Sequence, residues 1–157
     1  MSLAAFERLV TSVAESVSGE PLDAGLQRIL HDAFPADGEA FGSLAALCEQ
    51  GVREGWLANR EHGGIKFGRV IKPGPATAGF SVDVVVMDDI VGPHHRHPNG
   101  EIDMIIPQDP EAEFDGHGRG WVVYGPGSAH FPTVTGGRAI VLYLLPDGAI
   151  EFTPPAG

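Results

Sequence analysis

The spacing of apolar residues changes near Gly63, and this change constrains the fold more than any other feature of the chain. Before Gly63, apolar residues recur every three or four positions, which is the pattern of helices that bury one face. Three such stripes follow one another: Leu3, Phe6, Val10, Val13 and Val17; Leu22, Leu26, Ile29, Leu30 and Phe34; and Phe41, Leu44, Cys48 and Val52. The pattern predicts about three amphipathic helices in the first 60 residues.

After Gly63, apolar and polar residues alternate, which is the pattern of β-strands. The predicted strands span residues 65–72, 80–87, 101–106, 121–124, 138–145 and 149–152. Turn sequences rich in Pro, Gly, Asp and Asn separate these strands, as is typical of a β-sandwich or barrel. We therefore expect a mainly β fold in two parts. A helical segment over residues 1–60 would pack on the barrel or on a partner subunit, and residues 61–157 would form a small antiparallel β-barrel.

The charge and hydropathy of the chain exclude several kinds of partner. The formal net charge is −11, and both predicted parts carry more acidic than basic residues, so nucleic acid is not an expected partner. No apolar run reaches the roughly 18 residues that span a bilayer, so no membrane partner is expected. The N-terminus lacks the basic start and apolar core of a signal peptide, which makes the cytoplasm the expected location.

Histidine is concentrated in residues 92–103 and 125–135, which hold four of the seven histidines of the chain. His95 and His97 are two residues apart, so on a strand both imidazoles point to the same side. The turn that follows can return Glu101 to a position opposite the two rings, and His130 can approach from a separate strand. Neutral imidazoles with a carboxylate suit Fe, Mn, Ni, Cu or Zn better than Ca or Mg. The pattern therefore predicts one divalent transition metal ion, whose identity stays open.

The same segments resemble the two sequence motifs of the cupin superfamily. Residues 95–101, HRHPNGE, fit the first motif, in which His-x-His is followed by Glu, and residues 126–130, PGSAH, fit the core of the second. Three positions depart from the usual motifs, namely Asp89, Gln108 and Val134. The resemblance implies a jelly-roll-type barrel, and it assigns four metal ligands: His95, His97, Glu101 and His130.

Strand alternation also points two further charged residues into the predicted barrel. Asp103 shares a face with Glu101, so its carboxyl could move protons beside the metal or could orient a ligand histidine. Arg69 shares a face with apolar residues, so its guanidinium could hold a substrate carboxylate or could form a structural salt bridge, for example with Asp103. Four aromatic residues could line an aromatic substrate, although packing in the core is the preferred explanation: Trp121, Tyr124, Phe131 and Tyr143.

Most of the chain resembles the bacterial 4-hydroxylaminobenzoate lyase family. The likeness lies in the helices that precede the barrel and in four sequences: GPHHRHPNGEIDM, AEFDGHG, PGSAH and LYLLPDGAIEF. The resemblance implies an enzyme that converts 4-hydroxylaminobenzoate, a small aromatic carboxylate, to 3,4-dihydroxybenzoate with release of ammonium. Asp103 would then carry protons, and Arg69 would anchor the substrate carboxylate.

Two other functions fit the same ligands. One is a non-haem iron dioxygenase of a small aromatic acid, which oxygen uptake would reveal. The other is a non-catalytic cupin that binds a small metabolite without converting it. Because a barrel of this kind leaves strand edges open, we also expect a homodimer.

Overall fold

The first third of the chain forms three helices, α1 (Ser2–Ser16), α2 (Ala24–Ala33) and α3 (Glu39–Glu54), in a computed structural model that describes residues 2–152. The predicted helices are thereby confirmed. Asp23 caps α2 by accepting a hydrogen bond of 3.0 Å from the backbone N–H of Leu26. Gly55 ends α3 in the left-handed conformation that favours glycine. Within residues 2–152, no helix is long and apolar enough to cross a membrane.

The rest of the described chain is built from ten antiparallel strands. Their bounds are β1 Arg60–His62, β2 Ile65–Ile71, β3 Phe80–Val91, β4 His95–His97, β5 Glu101–Pro107, β6 Glu113–Phe114, β7 Gly120–Tyr124, β8 Ser128–His130, β9 Thr133–Pro146 and β10 Glu151–Phe152. Seven strands form a large sheet in the order β1-β2-β3-β9-β5-β7, with β6 paired to β9. The other three form a small sheet in the order β10-β4-β8.

The mainly β class with preceding helices is confirmed, but the described strands form two sheets and do not close into one barrel. The small sheet is where the structure goes beyond the sequence pattern. Its strands are only two or three residues long. β10 lies within the strand predicted over residues 149–152, but β4 and β8 are too short to show the alternation of apolar and polar residues by which longer strands are recognised.

The two faces of the large sheet serve different purposes, as β5 illustrates. Ile102, Met104 and Ile106 project from one face into a hydrophobic cluster that they share with all three helices. Each fully buried aliphatic or aromatic side chain of this kind contributes about 1.5–3 kcal/mol to stability. Glu101 and Asp103 project from the opposite face, where the small sheet lies and where a second apolar cluster surrounds Ile105 and Tyr143. The helices therefore cover one face and leave the other face for the polar site.

Helix α2 also covers the edge of the large sheet at β7. The backbone N–H of Val123 donates to the side-chain oxygen of Gln27 at 2.9 Å, and that of Trp121 donates to Nε2 of His31 at 3.2 Å. The indole N–H of Trp121 donates to the carbonyl of Phe34 at 2.9 Å. Gln27 and His31 are four residues apart, so both side chains leave the same face of α2. These bonds satisfy donors that an edge strand would otherwise expose.

Candidate metal centre

Four side chains from three strands converge between the two sheets. His95 and His97 both project from β4, Glu101 begins β5, and His130 ends β8 directly opposite His95 in the antiparallel pair. One potential ligand atom from each residue can be chosen so that all four atoms lie within 4.8 Å of one another. The structure thus brings together the four residues that the sequence motifs singled out.

The turn between β4 and β5 requires glycine at one position. Gly100 has φ +89°, and a Cβ atom there would lie 2.7 Å from the carbonyl oxygen of Tyr124 and 2.8 Å from Cδ2 of Leu22. Both the backbone angle and the crowding favour a residue without a side chain. This tight turn places Glu101 opposite His97, whose carbonyl accepts the N–H of Gly100 at 3.2 Å.

The polar atoms of the cluster lack the partners that buried polar atoms normally have. Nε2 of His95 lies 3.0 Å from Nε2 of His130, and Nε2 of His97 lies 3.2 Å from Oε1 of Glu101. His97 Nε2 and both Glu101 oxygens nevertheless make no hydrogen bond of acceptable geometry to any described residue, although they are buried. Unsatisfied buried polar atoms are rare and destabilising. A cation among these atoms would satisfy all of them, so the residues fit a metal ion.

The electrostatics of the cluster favour the metal-ligating forms of His95 and Glu101. Burial, with a contribution from the charges of His97 and His130, lowers the pKa of His95 to about 4, although Glu101 acts in the opposite direction. Burial alone would raise the pKa of Glu101, but the contacts with His97 and Asp103 hold it below its ordinary value. A neutral imidazole and an ionised carboxylate are the forms that bind transition metals.

Asp103 lies beside this cluster on the same face of β5 and is fully buried. Burial, followed by the negative charge of Glu101, raises the pKa of Asp103 well above its ordinary value. Its carboxyl contacts that of Glu101, but neither of its oxygens makes a hydrogen bond of acceptable geometry to any described residue. A buried carboxyl whose protonated form is favoured can act as a proton donor.

Arg69 occupies the same face but pairs with a different acid from the one suggested by the sequence. Its Nε lies 2.8 Å from Oδ1 of Asp83, and its Nη2 donates to the carbonyl of Gly148 at 3.2 Å. The register of the sheet sets Arg69 against Asp83, Asp83 against Tyr143, and Tyr143 against Asp103. Asp103 is therefore three strands away, and a salt bridge between Arg69 and Asp103 was a wrong expectation. The Arg69 side chain remains 37% exposed.

Sequence reasoning missed two residues that contact histidines of the cluster. Oδ2 of Asp115 lies 2.6 Å from Nδ1 of His130, and Oγ of Ser128 lies 3.0 Å from Nδ1 of His97. Asp115 is followed by glycine, and an Asp-Gly pair predicts only a turn. Ser128 could have been suspected, because it lies two residues before His130 and hence on the same side of β8.

The aromatic residues around the site also differ from those expected. Trp121 packs against helix residues on the far side of the sheet, and Phe131 lies against His94, outside the ligand cluster. Tyr124 and Tyr143 do lie on the side of the ligands. Phe152 was missed: it pairs in register with His95, its ring centroid is 5.7 Å from that of His95, and it is 67% exposed.

A helical segment followed by two antiparallel sheets, with three histidines and a glutamate between the sheets, is the arrangement that the resemblance to the cupin motifs implied. The sequence profile of the family described as "PnbB: 4-hydroxylaminobenzoate lyase" matches residues 8–152. The 4-hydroxylaminobenzoate lyase of Nocardioides sp. (strain LMS-CY) is 38% identical over 142 residues, covering 83% of this chain and 84% of the relative. That of Pseudomonas putida is 33% identical over 153 residues, covering 87% of each chain. The chain belongs to the 4-hydroxylaminobenzoate lyase family and is therefore an enzyme.

The solved structures that resemble this chain are more distant. An RmlC-like cupin protein from Ralstonia eutropha aligns with a TM-score of 0.46 and 14% identity, covering 59% of this chain and 62% of the other. An oxalate oxidase in complex with glycolate aligns with a TM-score of 0.45 and 22% identity, covering 60% and 57%.

Proposed function

We propose that this enzyme converts 4-hydroxylaminobenzoate to 3,4-dihydroxybenzoate and releases ammonium, at a site formed by the four-residue cluster and Asp103. The observation that carries the proposal is the family match over residues 8–152, which contains every one of these residues. The buried, unsatisfied ligand atoms support a metal ion at the same place.

The overall reaction defines what the site must do. The substrate takes up one water and loses ammonia, so the N–O and C–N bonds break and two C–O bonds form on the ring, with no net oxidation or reduction. Breaking the N–O bond requires a proton on the departing oxygen. Of the two ring carbons that gain oxygen, one loses the nitrogen and its neighbour must lose a proton. A single acid that can give up and regain a proton would serve both steps.

In this proposal His95, His97, Glu101 and His130 hold one divalent ion of Fe, Mn, Ni or Zn, which supplies a Lewis acid when bound. Asp103 is the proton carrier, because its protonated form is favoured and its oxygens have no other described partner. Its position two residues after Glu101 on the same face places it next to the ligands.

Arg69 and Phe152 are suited to the two other parts of the substrate. Three strand spacings separate Arg69 from Asp103, which is roughly 14 Å between their Cα atoms. An extended arginine side chain together with a para-substituted benzoate is long enough to bridge this distance. Its Nη1 takes no part in the bonds to Asp83 and Gly148, so it can donate to a carboxylate. The exposed ring of Phe152 beside His95 offers a surface for the aromatic ring.

The test is a product assay under strictly anaerobic conditions. The purified enzyme is loaded with each candidate metal and mixed with 4-hydroxylaminobenzoate, and the organic product and ammonium are quantified together. The proposal predicts equimolar 3,4-dihydroxybenzoate and ammonium without oxygen. Turnover that requires oxygen would favour the dioxygenase instead, and binding without any product would favour a metabolite-binding protein.

We also propose that the enzyme is a homodimer. Strand β1 lies at an edge of the large sheet and all three of its residues are exposed, so this edge can pair with a second copy. Light scattering coupled to gel filtration would give the mass of two chains if this holds, and of one chain if it does not.

A further inference from the structure

Asp115 stands directly behind one of the proposed metal ligands. It occupies the first position of a two-residue hairpin turn, where Asp115 has φ +49° and Gly116 has φ +82°. Backbone bonds of 2.8 Å in each direction between Phe114 and His117 close this hairpin. Two positive φ angles define the turn type in which Asp-Gly and Asn-Gly are preferred. The turn itself is therefore satisfied by backbone conformation and needs no charge on its first residue.

Both oxygens of the Asp115 carboxylate instead make contacts with groups around the site. Oδ2 accepts from the hydroxyl of Tyr124 at 2.6 Å and lies 2.6 Å from Nδ1 of His130. Oδ1 accepts from the backbone N–H of Thr133 at 2.9 Å. The side chain is only 16% exposed, so water competes weakly for these bonds. These contacts hold both oxygens in place and so keep the carboxylate oriented towards His130.

This contact determines which nitrogen carries the proton in the neutral ring of His130. A carboxylate can only accept hydrogen bonds, so the neutral ring must present Nδ1–H to Asp115, and its lone pair is then on Nε2. Nε2 is the atom that faces His95 Nε2 at 3.0 Å in the centre of the cluster. We infer that Asp115 is the positioning residue of the metal centre, holding His130 in the tautomer and orientation that bind the ion. This inference rests on the proposed metal centre and adds a residue to it.

The substitution Asp115→Asn tests the inference with little change of shape. Asparagine suits the first position of an Asn-Gly hairpin turn, so the fold should persist. Its amide, however, places one NH₂ group where a carboxylate oxygen was. That group must face either Nδ1 of His130 or the N–H of Thr133. If the NH₂ group faces His130, Nδ1 must accept and the imidazole proton moves to Nε2. If it faces Thr133, two hydrogen-bond donors, the NH₂ group and the backbone N–H, point at each other. Either arrangement should weaken metal binding.

The experiment is a titration of the metal-free proteins with Co²⁺, followed by its visible absorption and by competition with a chelator. Asp115→Asn should bind at least about tenfold more weakly than the unaltered protein, with shifted absorption bands. Asp147→Asn is the matched control, because Asp147-Gly148 is another turn with positive φ at both residues. It should bind Co²⁺ with unchanged affinity.

A second measurement does not depend on the variant folding. Nitrogen NMR of the imidazoles in the metal-free, unaltered protein at alkaline pH should show His130 protonated on Nδ1, and protonation on Nε2 would overturn the inference. Equal Co²⁺ affinity of Asp115→Asn and the unaltered protein would also overturn it, while leaving the proposed function intact. Failure of the unaltered protein to bind any metal would overturn both. Weaker binding in Asp115→Asn with no lyase activity in either protein would overturn only the proposed function.

Discussion

Asp103 is the residue whose replacement separates chemistry from metal binding. Asp103→Asn keeps the size of the side chain but removes the proton that the carboxyl would carry. We expect unchanged metal content and a fall in kcat of about 100-fold or more, the usual contribution of a positioned general acid or base. Metal analysis and steady-state kinetics on the same preparation measure both quantities. Unchanged turnover would remove Asp103 from the mechanism.

Arg69 offers a test of substrate binding in the same reaction. Arg69→Gln should raise KM by about tenfold or more with a smaller change in kcat, because a charged hydrogen bond to the substrate carboxylate is lost. Arg138→Gln, at a partly buried arginine in the large sheet, is the control and should leave KM unchanged. If Arg69→Gln lowers only the melting temperature, the salt bridge of Arg69 with Asp83 is purely structural.

The histidine spacing and the two motifs were enough to single out the four clustered residues, but the sequence could not supply the residues that support them. His95 and His97 are two apart on one strand, and this periodicity is a local property. Asp115 meets His130 from 15 positions away, through a turn whose Asp-Gly pair is fully explained by turn chemistry. Nothing local distinguishes an aspartate that only makes a turn from one that also holds a ligand.

At the scale of elements, the long strands could be predicted from the alternation of apolar and polar residues. This alternation arises because one face of such a strand packs on the helices and the other faces the site. In β5, apolar residues face the helices while Glu101 and Asp103 face the site. The short strands β4 and β8 do not show this pattern, whereas β10 lies within the strand predicted over residues 149–152. Their arrangement as a separate sheet depends on pairing between distant segments, such as that of β4 with β10, which local sequence does not specify.

The contact between α2 and the β7 edge leads to a prediction about stability. Gln27→Ala removes the acceptor of the Val123 N–H, so the free energy of unfolding should fall by about 1 kcal/mol or more. Gln50→Ala is the control, since Gln50 donates to Glu54 at 2.9 Å on the exposed surface of α3. It should change stability by about 0.5 kcal/mol or less. Urea denaturation of the three proteins compares them, and equal midpoints would show that the β7 edge does not need α2.

At the scale of the whole molecule, the helices and the large sheet share one hydrophobic cluster, which contains Phe6 of α1, Phe41 of α3 and Val84 of β3. We therefore expect the helical segment to unfold together with the sheet, although the sequence alone divides the chain near residue 60. Hydrogen exchange followed by mass spectrometry should give α1 and α3 the same free energy of opening as β3 and β9, within about 1 kcal/mol. Loss of protection in the helices at a lower denaturant concentration would show an independently unfolding segment.

The proposed metal centre lies between the small sheet and the large one, and its occupancy is the most direct test of the proposed function. The measurement is elemental analysis of the purified protein and of His95→Ala, Glu101→Ala and His117→Ala, the last at an exposed histidine outside the cluster. We predict about one transition metal ion per chain in the unaltered protein and in His117→Ala, and loss of that ion in the other two. An unaltered protein that holds no metal, even after reconstitution with Fe, Mn, Ni or Zn, would contradict this prediction.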